Sequence, residues 1–296
     1  MKKTTLLRNA LKETEILIVP VVYDCMSARI AETVGFKAVF MPVSITTMIQ
    51  IGLPPIGLAT ASEIINCTKY TADSVNVPLI LSADDGYGGT LAAYRTTQEV
   101  IRAGAAGMSI SDRVSVIKTT VPHNLIEVLS RDEYFSKMGA VVEARNTYDK
   151  DFVVIARIEA GALYGDDEVI ARAKGCLELG VDIILPHSRP KESKFGVRTK
   201  EELKELFKKI GAPDVMIWGM GPHGFTGKDY KDIGAKMWAP NDSPTDVAQK
   251  ALFSLYQELY DTECEPPHDI TPTRQFSDKI KGMDFWRGIE KKHLPK

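Results

Sequence analysis

The sequence predicts an α/β fold, a (β/α)8 barrel of the TIM type followed by a C-terminal helical extension. Three observations carry that expectation. Short β-branched runs alternate with longer stretches of helical apolar spacing, and the alternation repeats eight times. The 296 residues suit one such barrel plus a short extension, because a barrel of this kind takes about 250. No Gly-x-Gly-x-x-Gly follows the first apolar run, which disfavours a doubly wound dinucleotide-binding sheet.

In chain order, ILIVPVV at 16–22 precedes a helical segment with Ser27, Ala28, Arg29, Ile30 and Glu32. KAVFMPV at 37–43 precedes a helix over 60–74, and VPLILSA at 77–83 one from Leu91 to Ala103. AAGMSIS at 105–111 leads through a loop to a helix near 131–147. DFVVIAR at 151–157 leads to DDEVIARAKGCLELG, and VDIILPH at 181–187, after a basic insertion, to TKEELKELFKKIG. DVMIWGM at 214–220 leads to a short helix near 227–234. AKMWAP at 235–240 leads to SPTDVAQKALFSLYQELYD, with Ser243 as a cap before Pro244. The barrel domain is read as 1–262 and the extension as 263–296. The extension carries an amphipathic stretch, RQFSDKIKGMDFWRGIEKK, whose Phe276, Ile280, Met283, Phe285, Trp286 and Ile289 are too apolar for a free tail. It is expected to dock on a barrel or on a neighbouring subunit.

Composition excludes several classes. Lys and Arg total 37 against 39 acids, a formal charge of −2, which removes the electrostatic case for nucleic acid or an anionic membrane as partner. The uncharged stretch Ala38 to Ser62 is broken by Pro42, Gly52, Pro54, Pro55 and Gly57, so it reads as a buried strand and a loop rather than a membrane span. The start, MKKTTLLRNALKETE, has no apolar core of a secretory signal. Cys25, Cys67, Cys176 and Cys264 form no Cys-x-x-Cys pair and read as reduced thiols of a cytoplasmic protein. The expected partners are a small molecule and further copies of the chain.

Barrel active sites lie at the C-terminal strand ends. Those ends carry Tyr23 and Asp24; Ser44; Ser82, Asp84 and Asp85; Ser111, Asp112 and Arg113; Arg157 and Glu159; His187 and Ser188; Trp218; and Asn241. Any one of them could cap the following helix, but polar groups at most ends favour a polar site. Asp84 and Asp85, before a Gly-rich turn, suit either a hard cation or a helix cap. Arg157 and Glu159, two apart, share one face of an extended segment, and an inward Arg offers a planar fork to a carboxylate or phosphonate. His187 at the barrel mouth suits a donor or acid–base role. No lysine ends a strand where a Schiff base would form, and GMGPHG at 219–224 reads as a turn rather than a phosphate cradle.

At these residues the chain resembles the isocitrate lyase/phosphoenolpyruvate mutase superfamily over nearly its full length. The segments are YDCMSARIAETVGFKAVF at 23–40, IGLPPIGLAT at 51–60, LSADDGYGG at 81–89, GAAGMSISDR at 104–113, DFVVIARIEA at 151–160 and GVDIILPHS at 180–188. The last two are most similar to phosphoenolpyruvate mutase and phosphonopyruvate hydrolase. The resemblance implies a (β/α)8 barrel whose C-terminal helix is swapped between subunits, in a dimer or homotetramer. It implies an enzyme acting on a small 2-oxo or 2-hydroxy acid through an enolate-like centre, with Mg2+ holding the oxygens. It also implies that Arg157 binds the acid group, that His187 and Ser188 are site residues, and that Val43 and Ser44 cradle the carboxylate. Asp84 matches the second Asp of the family's Asp-x-Asp.

The chain departs from the pattern at the metal site. The first Asp falls on Ser82, a second acidic position on Pro55, and a Glu on Ser111. The Gly-Ser-Gly after strand two is Met41-Pro42-Val43. Asp84, Asp85 and Asp112 are the remaining candidates for Mg2+. The 113–125 loop has no Cys, whereas family C–C lyases use one there as an acid; Lys118-Thr119-Thr120 is loosely similar to the Lys-Thr-Asn of the phosphonopyruvate branch. The expected catalytic groups are Asp84, Asp85, Lys118, His123 and His187, with Val43, Ser44, Arg157, Glu159, Ser188 and Asn241 binding substrate. Three functions stay open: P–C bond chemistry on a phosphonopyruvate-like acid, C–C cleavage or decarboxylation of an oxaloacetate- or dimethylmalate-like acid, and a silent binding or scaffold protein.

Overall fold

The computed structural model describes residues 1–114, 127–186, 198–219, 224–240, 243–264 and 274–294. Each of the eight apolar runs supplies one short strand: β1 (Leu17–Ile18), β2 (Val39–Pro42), β3 (Leu79–Ser82), β4 (Gly107–Ser111), β5 (Val153–Arg157), β6 (Ile183–Leu185), β7 (Met216–Trp218) and β8 (Met237–Ala239). The first run pairs least because Pro20 has no N–H to give a ladder. All ladders are parallel, in the orders β2-β3-β4-β5-β6 and β1-β8-β7. Single parallel bridges, Val21 to Phe40 and Ile184 to Val215, join the two sheets, so the eight strands close into a barrel.

The helices are α1 (Lys3–Glu13), α2 (Cys25–Val34), α3 (Val43–Thr46), α4 (Ala61–Ser74), α5 (Thr90–Arg102), α6 (Arg131–Tyr148), α7 (Gly161–Tyr164), α8 (Asp166–Glu178), α9 (Lys200–Ile210), α10 (Gly227–Asp232), α11 (Ser243–Thr262), α12 (Arg274–Lys281) and α13 (Met283–His293). Local chemistry starts them. Asp24, Thr60, Ser130, Thr199 and Thr226 each accept from the backbone three residues on, with the reciprocal side-chain bond also made. Asp24, one of the strand-end polar residues, is thereby the cap of α2.

The apolar interior has two layers. The inner layer fills the barrel with Leu17, Val19, Val21, Phe40, Ile80, Val153, Ile155, Ile183, Leu185, Met216 and Met237. Leu7, Ala10 and Leu11 of α1 join the same layer, so α1 plugs the N-terminal end. Gly107 faces this plug: a Cβ there would sit 2.9 Å from the Val153 carbonyl oxygen, too close for any other residue. The outer layer packs helices against strands through residues such as Ile64, Val100, Met138, Ala173 and Leu206.

Two expectations change. The uncharged stretch after β2 does not become a plain loop; it winds first into α3 and then into a π-helical turn, Thr47–Ile51. The amphipathic tail is two helices rather than one, because Gly282 takes φ +67° and breaks the run. α12 packs on α2, where Arg29 Nη1 donates to the Ile280 carbonyl at 3.0 Å. α11 stands off the barrel, with Leu252, Phe253, Tyr256, Leu259 and Tyr260 exposed, and Phe285, Trp286 and Ile289 of α13 are exposed too. Among the described residues no helix is long and apolar enough to cross a membrane.

Candidate active site

Strand alternation builds the site. Val153 and Ile155 point into the barrel, so Arg157 and Glu159 continue the inward register at its C-terminal end. Across β4 the inward positions are Gly107, Ser109 and Ser111, small residues that leave room for the Arg157 side chain. Arg157 is 4% exposed, and its guanidinium lies over Trp218, with Cζ 4.9 Å from the ring centroid. Phe40 meets that ring edge-on, with centroids 5.1 Å apart.

Glu159 sits between two arginines. Its Oε1 pairs with Arg157 Nη2 at 2.7 Å, and its Oε2 pairs with the Arg113 guanidinium through Nε and Nη2. Ser111 Oγ adds a hydrogen bond to Oε1 at 3.2 Å. All three charged groups are buried, so the unit Arg113–Glu159–Arg157 carries one excess positive charge out of water. Arg157 Nε and Nη1 and Arg113 Nη1 are buried and have no hydrogen-bond partner among the described residues. A buried guanidinium edge left open is a place for an anion.

Asp84 and Asp85 lie one strand over. With Val43, Ser44, Thr47, Pro55, Gly57, Ala59 and Tyr87 they line a cavity of about 210 Å³. The two parts touch through the backbone: Ser111 N donates to the Asp84 carbonyl at 2.7 Å while Ser111 Oγ reaches Glu159. The turn is tight, with Asp84 at φ +50° and Tyr87 at φ +62°. Burial pushes the Asp85 carboxyl above its ordinary range. Lys137, buried and itself lowered by burial, donates from Nζ to the Asp85 carbonyl at 2.9 Å. The Tyr87 hydroxyl is buried with no partner among the described residues. Tyr87→Phe is therefore expected to hold or raise the melting temperature, by up to about 1 kcal/mol of stability, in a thermal melt.

Of the sequence candidates, Val43, Ser44, Asp84 and Asp85 come together in the cavity, and Arg157 and Glu159 in the arginine unit. Asp112 is in neither. It is completely buried, its Oδ1 accepts from Glu159 N at 2.8 Å, and its Oδ2 from Ala160 N at 3.2 Å and Arg172 Nη1 at 3.3 Å. Both oxygens take part in holding the β4 and β5 ends together. Lys118, His123, His187, Ser188 and Asn241 lie outside the described residues. Arg113 and Trp218 stood only as strand-end residues in the sequence; their pairing with Glu159 and Arg157 is a contact across strands that spacing does not show.

The chain matches the phosphoenolpyruvate phosphomutase family over residues 7–259. The chain belongs to that family. The phosphomutase-family chain is 30% identical over 284 residues to 2-methylisocitrate lyase of Aeropyrum pernix, covering 94% of this chain and 87% of that protein. It is 30% identical over 239 residues to oxaloacetate decarboxylase of Rhodopseudomonas palustris, covering 79% of this chain and 78% of the relative. Its fold superposes on oxaloacetate acetylhydrolase in complex with the inhibitor 3,3-difluorooxalacetate with a TM-score of 0.87 and 27% identity, covering 100% of this chain and 98% of that one. The isocitrate lyase/phosphoenolpyruvate mutase resemblance and the TIM-type barrel therefore both hold, and the relatives the chain matches are enzymes.

The superfamily implies Mg2+, and the donor set here tests it. Among the described residues no three His, Cys, Asp or Glu side chains converge on one point. Ser82, Pro55 and Ser111 stand where the resemblance implies acids, and Asp112 already accepts from two backbone N–H groups and Arg172. Asp84 and Asp85 remain, and Asp85 already has the Lys137 ammonium beside it. The described residues do not fit a preformed divalent-cation site, which needs several well-placed oxygens.

Proposed function

We propose that the protein is a lyase of a small 2-oxo acid that breaks the bond between C3 and its acid group through an enolate, with oxaloacetate-type decarboxylation as the leading case. The observation that carries this reading is Arg157, buried, stacked on Trp218, tied to Glu159 and open at Nε and Nη1. Such a group binds the substrate carboxylate and places the adjacent 2-oxo oxygen among positive charge. As the C3–carboxylate bond breaks, its electron pair moves onto that oxygen and CO2 leaves. Buried N–H donors stabilise the negative charge as it develops, where water competes least. The enolate then takes a proton at C3. Asp85, which lines the cavity and whose carboxyl burial raises above its ordinary range, is the group placed to supply that proton.

The sequence has no Cys between Cys67 and Cys176, so the thiol acid of the family's C–C lyases is missing, while loss of CO2 needs no such acid. The decarboxylase and methylisocitrate lyase relatives support C–C over P–C chemistry. P–C cleavage of a phosphonopyruvate-like acid is the second reading, favoured by Lys118-Thr119-Thr120. The test is product-detected turnover of oxaloacetate, phosphonopyruvate, 2-methylisocitrate and dimethylmalate, each with Mg2+ and with a chelator. Pyruvate from oxaloacetate is the expected result. Turnover of phosphonopyruvate alone would move the assignment to the P–C branch, and silence across the panel would favour the scaffold reading.

The exposed apolar faces of α11 and α13 support a homo-oligomer in which a second copy covers them. The protein is expected to sediment as a dimer or tetramer at micromolar concentration. Replacing Phe285 and Trp286 with Asp is expected to give monomers with an unchanged far-ultraviolet circular dichroism spectrum, read by sedimentation velocity.

A further inference from the structure

The departures at the metal site and the extra arginine belong together. At three positions where the family resemblance implies an acid this chain has Ser82, Pro55 and Ser111, while two guanidiniums share a single carboxylate at the neighbouring strand ends. Arg113 is 8% exposed, is tied to the β4 end by its N–H on Ser111 Oγ at 3.2 Å, and leaves Nη1 without a partner among the described residues. Arg157 leaves Nε and Nη1 in the same condition. Three buried nitrogens without a partner among the described residues, around one compensated carboxylate, form a fixed cationic group that a dicarboxylate or oxo-acid anion would satisfy. A guanidinium cannot lose its proton near neutral pH and needs no cofactor to be charged. The loss of acidic residues points the same way, because carboxylates facing an anion repel it unless a cation lies between them.

We propose that Arg113 is a second substrate-anion ligand beside Arg157, and that this pair holds the oxo-acid without a divalent cation. The proposal rests on the oxo-acid reading above and adds to it the residue and the means of binding. Glu159 is then a positioning residue, which keeps the two guanidiniums together and their open edges fixed.

Oxalate, a planar dianion shaped like the enolate of a 2-oxo acid, is the probe. Its binding to the full-length protein is measured by titration calorimetry in EDTA and again in millimolar MgCl2. The expected dissociation constants agree within about twofold between the two buffers. Arg113→Gln is expected to weaken oxalate about tenfold or more in EDTA, for one lost charge-assisted contact. Arg113→Lys, which keeps the charge but loses the planar fork, is expected to fall between. Thermal melts of both variants check that the barrel is folded. Should Arg113→Gln fail to fold, Arg113→Lys and the EDTA comparison still decide.

Oxalate binding that requires Mg2+ would overturn the proposal and leave the oxo-acid reading standing. Wild-type affinity in folded Arg113→Gln would remove Arg113 from the site. Absence of binding in both buffers would also overturn it, and the turnover panel then shows whether the oxo-acid reading falls with it.

Discussion

Arg157→Ala is expected to lower kcat/KM about a thousandfold for the acid the enzyme turns over, equivalent to about 4 kcal/mol of transition-state stabilisation. The size follows from the site. Arg157 is buried at 4% exposure, so its N–H groups meet the substrate where water screens them little. Truncation deletes the charge, removes the guanidinium stacked on Trp218, and removes one of the two arginines paired with Glu159, which turns the charge of the Arg113–Glu159–Arg157 unit from +1 to neutral. Part of the loss should fall on KM, since the carboxylate is bound before and after bond breaking. The rest should fall on kcat, since charge on the 2-oxo oxygen grows only as the bond breaks. Arg157→Lys keeps a charge but not the planar stack on Trp218, and should recover about tenfold of the loss. Steady-state kinetics on the three proteins check this, and an alanine variant as active as wild type would remove Arg157 from the mechanism.

The barrel was legible because its signals are local. Each of the eight apolar runs becomes a strand near the expected place, shortened where the ladder gives out, although β4 and β5 keep the last residue of their runs. Helix starts were written in the same local way, as with Thr199 followed by Glu202. The N-terminal helix α1 is less legible: Leu7, Ala10 and Leu11 have helical spacing, but a charged segment before the first strand carries no local sign of the barrel end it plugs. The stand-off of α11 was hidden as well. Its apolar residues have the spacing of any barrel helix, and only three-dimensional packing shows that they are left exposed.

The site was legible as a set of positions but not as a circuit. Arg157 and Glu159 could be paired from their spacing of two, since that pairing is local. Arg113 could not be joined to them, because its partner lies 46 residues away across a strand boundary. Asp112 shows the same limit. Beside Ser111 and near the matched motif it has the chemistry of a metal ligand, and nothing in the sequence shows that two backbone N–H groups just past the next strand donate to its oxygens.

That arrangement makes Asp112 the largest expected stability effect in the molecule. Asp112→Ala strands Glu159 N, Ala160 N and Arg172 Nη1, three buried donors, and breaks a buried ion pair. The expected cost is about 3–5 kcal/mol, read by denaturant unfolding. Asp112→Asn keeps one acceptor and should cost less. Its pH dependence separates burial from pairing. Burial outweighs the N–H donors and Arg172 and raises the folded-state pKa to about 6, above the roughly 3.9 of an unfolded aspartate. Between these values the folded chain binds the proton that the unfolded chain has released, so this group's contribution to stability falls as pH rises from about 4 to 6. The stability gap between wild type and Asp112→Asn should therefore narrow over that window, because the amide has no proton to lose. A gap that widens instead would mean that attraction to Arg172 outweighs the cost of burial, and that the β4–β5 junction is held chiefly by charge.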